Sequence, residues 1–258
     1  MGRVYEDLTY ELRDRVGVVT LDRPEVHNAL RRQTYAELEH AVRTTEARVL
    51  VITGRDPSFC SGDDVREIMA GSGPPSELAE APRLTPAAEA LLTTDVPVIA
   101  AVNGSAVGWG MELALMADLR VASERARFAE LFVERGLCCD VAGLGRLVQL
   151  VGRERASELL FTGRRVDADE ARRIGLVARV VAHDQLMETS LTLAATIADK
   201  PPLAVAKLKA GLRQATDPDW QQLGRWVSAS LAELFSTDDH REGVRAFLEK
   251  RDPVYRGR

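Results

Sequence analysis

Four short runs constrain this chain more than anything else in it: "VGVVTL" (16–21), "RVLVITG" (48–54), "VPVIAAVNG" (96–104) and "LRVASE" (119–124). Each reads as a β-strand, and "RVLVITG" has the near-continuous apolar pattern of a strand covered on both faces. Helical patterns fall between them, at "TYAELEHAVRTTE" (34–46), with Thr34 as N-cap before Glu37, and at "TPAAEALLTTD" (85–95). A short helix is expected near Asp63, and another after "AVNGSAVG". Alternating strands and helices call for an α/β fold with a buried parallel sheet.

The character changes near residue 197. "KPPLAVAKLKAGLRQA", "DPDWQQLGRWVSASLAELF" and "DDHREGVRAFLEKRDP" are helical stretches with no strand between them. The expected division is a core over 1–196 and a helical region over 197–258. Residues 71–86, rich in Gly, Pro and Ser, read as a mobile surface segment.

The net charge is −5, with both signs interleaved, so the basic stripe that marks a nucleic-acid binder is absent. No apolar run is long enough to span a bilayer, and the charged N-terminal stretch has no apolar signal core, so a cytoplasmic location is expected. Cys60, Cys138 and Cys139 form neither a metal-binding spacing nor a disulfide framework, and His27, His40, His183 and His240 are scattered. There is no dinucleotide fingerprint, no P-loop and no nucleophile elbow.

Two loops share one logic. "FCSGDD" follows the strand ending near Gly54, and "NGSAVGWGME" follows the strand ending near Val102. Ligands of open α/β sheets sit beyond the carboxyl ends of the strands. Glycine lets backbone approach a ligand closely, and a helix start offers unpaired N–H groups. One N–H from each loop, converging on one oxygen, makes an oxyanion hole. Glu112 lies in the first helical turn after the second loop. It is either a carboxylate complementing the helix dipole or a general acid/base beside that hole.

These loops, with "VPVIAAVNGSAVGWGMELALMADLRVAS", "ASELLFTGRRVDADEARRIGLVARVV" and the terminal "FLEKRDP", resemble the enoyl-CoA hydratase/isomerase (crotonase) superfamily, in order and over nearly the whole chain. The resemblance implies a right-handed spiral of ββα turns with a helical C-terminal trimerisation region. It implies an acyl-CoA thioester substrate, no separate cofactor or metal, and a homo-oligomer, either a trimer or a dimer of trimers. The thioester oxygen would be held by the backbone N–H groups of Asp63 and Trp109, where the family usually has a small residue or glycine. Trp109 would then shape the acyl pocket.

The family's hydratases use two glutamates. The first matches Glu112; the second falls on Phe132, which also becomes an acyl-pocket residue. Glu130 and Glu134 flank Phe132, and Asp140 matches an aspartate used as acid/base by isomerase-like members. Asp140 and Glu134 are therefore candidates beside Glu112, against simpler roles as a helix cap for Asp140 and as solvated surface for Glu130 and Glu134. Coenzyme A would lie along the backbone near His27, Ala29, Cys60, Gly62 and Asp64. Arg23 and Arg66 would stand near its phosphates, with Phe247 and Lys250 added by the C-terminal helix. The leading expectation is hydration of a 2-enoyl-CoA. The alternatives are isomerisation between 3- and 2-enoyl-CoA by one carboxylate, another reaction of the family, and non-catalytic acyl-CoA binding.

Overall fold

The computed structural model describes residues 5–69 and 84–258. Its frame is a six-stranded sheet in the order β1 (Leu8–Arg13), β2 (Val16–Leu21), β3 (Val49–Gly54), β4 (Val98–Val102), β6 (Leu119–Ser123) and β9 (Arg179–Val181). All neighbours are parallel except β1, which pairs antiparallel with β2. A second sheet holds β5 (Ser105–Val107), β7 (Arg127–Ala129) and β8 (Val166–Asp167). β4 and β5, then β6 and β7, add one strand to each sheet before a helix or helical turn follows, so the chain winds as ββα turns.

The sheet is covered on both faces, as the apolar runs require. Val49, Val51, Ile99, Ala101 and Val121 point to one side, against α7 (Leu186–Ala198). Leu50, Ile52, Ala100 and Val102 point to the other, into the main core. That core also takes α1 (Arg32–Thr44), α2 (Pro86–Thr93), α3 (Trp109–Met116) and α4 (Val141–Val151). All eight residues of α3 are buried, which makes it the central helix of the molecule. After α5 (Arg153–Thr162), α6 (Ala168–Ile174) and α7 come α8 (Pro202–Thr216), α9 (Trp220–Leu234) and α10 (Asp238–Glu249), with no strand among them.

Local expectations are corrected in two places. The charged N-terminal stretch forms β1, an edge strand whose exposed Glu11 and Arg13 are suited to a free sheet edge. α1 begins two residues before Thr34, with Arg31 as its N-cap; Thr34 Oγ1 accepts the Arg31 N–H at 3.2 Å from within the first turn. Glu37 is buried and accepts the N–H groups of Glu6 (2.7 Å) and Asp7 (2.9 Å), pinning α1 to the start of β1. Of the segment expected to be mobile, 71–86, residues 71–83 lie outside the described residues; Thr85 and Pro86 open α2. Among the described residues no helix is long and apolar enough to cross a membrane.

Candidate active site

β3 and β4 end side by side, so the loops that leave them run together. Two backbone hydrogen bonds join the loops: Cys60 N–H donates to Ser105 O (2.9 Å) and Val107 N–H to Cys60 O (3.0 Å). The joint aligns the next residues, Gly62-Asp63 on one loop and Gly108-Trp109 on the other. Gly62 has φ +85°, and a Cβ there would stand 2.7 Å from Val107 O and 3.1 Å from Trp109 N. Only glycine permits that approach. Trp109 opens α3, so its N–H has no intrahelical acceptor. Neither it nor the Asp63 N–H donates to an acceptor among the described residues. Two unused N–H groups thus stand on adjoining loops.

The contact between the loops is close. A Cβ on Gly110 would lie 2.1 Å from the carbonyl oxygen of Cys60. Gly110→Ala is therefore expected to destabilise the protein by about 1–3 kcal/mol, the usual range for overpacking a core. Thermal unfolding measures this; an unchanged midpoint would mean that the loops separate freely.

A cavity of about 380 Å³ opens beside these groups, within the size range of small-molecule sites. Its apolar wall includes Ala87, Trp109, Phe132 and Leu137, closed by Leu231 of α9 and by Phe235. Three carboxyl groups line it, Glu39, which is paired with Arg43, Asp63 and Asp140, with Tyr35 and Thr85 among the other polar residues. Asp140 is the N-cap of α4: its Oδ1 accepts the Val141 N–H at 2.7 Å and its Oδ2 accepts the Trp109 indole N–H at 3.0 Å. Burial raises its pKa above the ordinary range, against the pull of those two donors. Asp63 Oδ1 accepts the Tyr35 hydroxyl at 2.5 Å, and the Tyr35 ring meets the Trp109 ring edge-on at 4.7 Å. Burial pushes Asp63 up to about 6; the Tyr35 hydrogen bond opposes the rise and the charge of Asp140 adds to it.

Glu112, expected as an acid/base beside the two loops, has its pKa raised by burial. It is 0 % exposed and is not among the residues lining the cavity. Its Oε2 accepts the Gly143 N–H at 2.9 Å, and its Oε1 is buried with no partner. Glu130, expected at the surface, is buried as well, with both carboxylate oxygens unpartnered. Burial, then the charge of Asp140, raises Glu112; burial, then the charges of Glu112 and Asp140, raises Glu130. Glu134 must be withdrawn from the acid/base candidates. It is exposed and lines a different hollow, with Val133, Phe161, Phe247 and Tyr255.

The residues assigned to coenzyme A scatter more than the resemblance implied. Arg23 is tied inside the protein, donating to Ala29 O at 2.6 Å and to Asp64 Oδ2 at 3.4 Å. His27, at φ +56°, holds Ser58 Oγ through Nδ1 at 3.0 Å. Ala29 donates its N–H to Val26 O, so it offers a ligand no free donor. Cys60 is a clear correction: its N–H and C=O join the two loops and its thiol is wholly buried, with a pKa pushed up to about 12. Gly62 O accepts from Leu30 N–H, and Asp64 N–H donates to Leu30 O. Arg66 is exposed on the helical turn Val65–Met69. Phe247, under the Arg135 guanidinium at 4.6 Å, and the exposed Lys250 lie on α10 and its C-cap, away from the cavity's lining.

Sequence reasoning missed Tyr35, Thr85, Leu231 and Phe235 as cavity residues. It also treated Asp63 as a backbone donor only. The signal for Asp63 was present: a carboxylate where the resembling family has a small residue.

Comparison with known proteins agrees with this fold. The sequence pattern of the family described as enoyl-CoA hydratase/isomerase matches residues 11–258. The 2,3-dehydroadipyl-CoA hydratase of Escherichia coli is 37 % identical over 257 residues, covering 98 % of this chain and 99 % of its own. The short-chain-enoyl-CoA hydratase of Clostridium acetobutylicum is 34 % identical over 255 residues, covering 93 % and 94 %. The crystal structure of an enoyl-CoA hydratase/isomerase from Pseudoalteromonas atlantica superposes with a TM-score of 0.87 at 32 % identity, over 97 % of this chain and 100 % of that one. With its ββα winding, joined loops and adjoining cavity, the chain belongs to the enoyl-CoA hydratase/isomerase family.

Proposed function

We propose that the protein hydrates a 2-enoyl-CoA thioester, with Asp140 as the acid/base in the cavity. One observation carries the reading: Asp140 is the carboxyl of α4 that lines an apolar cavity, beside two unused backbone N–H groups. The thioester oxygen is assigned to the N–H groups of Asp63 and Trp109. As water adds to C3, electron density moves to that oxygen, where two preorganised donors stabilise the enolate. Asp140, fixed by the Trp109 indole and the Val141 N–H, delivers the proton to C2. Its raised pKa keeps a proton available nearer neutral pH than an ordinary aspartate allows.

Isomerisation is the second reading, favoured by one observation. Phe132, at the position of the second glutamate, adds an apolar wall instead of a carboxylate. Asp140 alone can carry a proton between C4 and C2. On either reading the protein is an acyl-CoA-processing enzyme needing no further cofactor, acting in the cytoplasm as a trimer or dimer of trimers built through the helical region over 197–258. Gly62, Asp64, His27 and Arg66 remain the segment assigned to coenzyme A.

The test is a panel of 2-enoyl- and 3-enoyl-CoA substrates followed by the absorbance of the conjugated thioester. Hydration removes that absorbance from 2-enoyl substrates, and isomerisation creates it from 3-enoyl substrates. A protein that binds acyl-CoA and changes neither series overturns both the hydratase and the isomerase readings.

A further inference from the structure

Hydration has two proton transfers, one from the water and one to C2, and Phe132 removes the residue that would divide the work. Besides Asp140 the cavity holds Glu39, which is paired with Arg43, and Asp63, which has no cationic partner at salt-bridge distance among the described residues. Asp63 and Asp140 line the same space from different elements, Asp63 from the loop after β3 and Asp140 from the start of α4. Trp109 joins them structurally: its indole N–H holds Asp140, and its ring edge meets Tyr35, whose hydroxyl holds Asp63. The Asp63 carboxylate is half-buried at the cavity wall, with the Tyr35 hydroxyl as its side-chain donor.

We propose that Asp63 is the second proton-handling carboxylate of the site, taking the proton from the water that adds to C3 while Asp140 delivers one to C2. The proposal rests on the hydratase reading above. An O–H bond of water breaks and its proton passes to the Asp63 carboxylate. The water oxygen bonds to C3, and the C2–C3 π pair moves onto the thioester as the enolate. The enolate then takes the Asp140 proton at C2. Asp63 ends protonated and Asp140 ionised; solvent returns the pair to its starting state.

The electrostatics support this division. After burial and the opposing Tyr35 hydrogen bond, the charge of Asp140 also raises Asp63, which brings its titration nearer neutral pH. The groups facing Asp63 are Tyr35, Arg32 and Glu39 of α1, Asp140 and Arg135 from the chain between β7 and α4, and Asp64 beside it. Tyr35 is the direct hydrogen-bond donor among them.

Asp63→Asn separates the roles, because it keeps the backbone N–H and removes only the base. The substrates are but-2-enoyl-CoA for hydration and butanoyl-CoA in deuterium oxide for exchange at C2. The expected result is a loss of hydration by about 10²-fold or more, the usual scale for removing a general base. Exchange at C2, which needs Asp140 and the two N–H groups, should stay within about threefold of wild type, and this also shows that the variant is folded. The acid limb of the hydration pH profile should disappear in the variant, because wild-type Asp63 must be ionised to accept the proton. Hydration within about threefold of wild type overturns the proposal. So does equal loss of hydration and exchange in a folded variant, since Asp63 would then act at C2 or through the oxyanion donors. A wild-type protein that exchanges at C2 yet hydrates no 2-enoyl-CoA sinks the hydratase reading itself.

Discussion

Asp140→Asn is expected to lower kcat on a 2-enoyl-CoA by about 10²–10⁴-fold, the range for losing a positioned acid/base. The fold should survive. Asparagine is as good an N-cap as aspartate, so the Val141 N–H keeps its acceptor and α4 keeps its start. The Trp109 indole N–H then competes for the one remaining amide oxygen, a loss of about 1 kcal/mol. KM should move much less than kcat, because the acyl group is held by apolar walls and by backbone N–H groups that the substitution leaves in place. Glu112→Gln is the control. Glu112 is buried outside the cavity lining, so its substitution should leave most of the activity. The reverse pattern, with Glu112→Gln inactive and Asp140→Asn near wild type, would return the acid/base role to Glu112. Steady-state kinetics of the two variants decide between these outcomes.

The second large effect concerns stability. Glu112 and Glu130 are buried together, and three of their four carboxylate oxygens have no hydrogen-bond partner. Both pKa values are raised above the ordinary 4.5, chiefly by burial. In the folded state these groups therefore hold protons that the unfolded chain has already released. The resulting stabilisation is fully present below the unfolded pKa and is lost as pH rises toward the folded one. Each such proton gives a slope of about 1.4 kcal/mol per pH unit. The unfolding free energy should accordingly fall as pH rises above the ordinary carboxylate range. Glu130→Gln cannot titrate, so it should flatten that slope by about one proton and gain on wild type toward alkaline pH. Denaturant unfolding across this window is the measurement. Equal slopes in variant and wild type would mean that Glu130 is ionised inside the fold.

The central strands were legible because burial on both faces forces continuous apolar runs, and β2, β3, β4 and β6 fall where those runs fall. β1 was not, because an edge strand with one covered face carries charges such as Glu11 and Arg13 that read as solvated coil. The short strands β5 and β7 hide inside a loop and a charged stretch. The joined loops were legible through Gly62, Gly108 and Gly110, since close backbone approach demands glycine. Which carboxylate faces the cavity was not. α3 is buried all round, so it has no polar face to say where Glu112 points. Glu130 shows why charge alone misleads. It follows β7, two residues after Phe128 and so on the same side by strand alternation, and both are 1 % exposed.

One acyl thioester is expected to lie in this cavity with its oxygen on two backbone N–H groups and its C2 against Asp140. A crystal structure with a saturated, unreactive acyl-CoA tests it most directly. The thioester oxygen should stand about 2.7–3.1 Å from both the Asp63 and the Trp109 nitrogens, the distance of an effective oxyanion donor. Asp140 should then be the carboxylate nearest C2, with Phe132 and Leu231 against the acyl chain. A thioester seated elsewhere, or one whose C2 faces Glu112 with Asp140 turned away, would contradict the account.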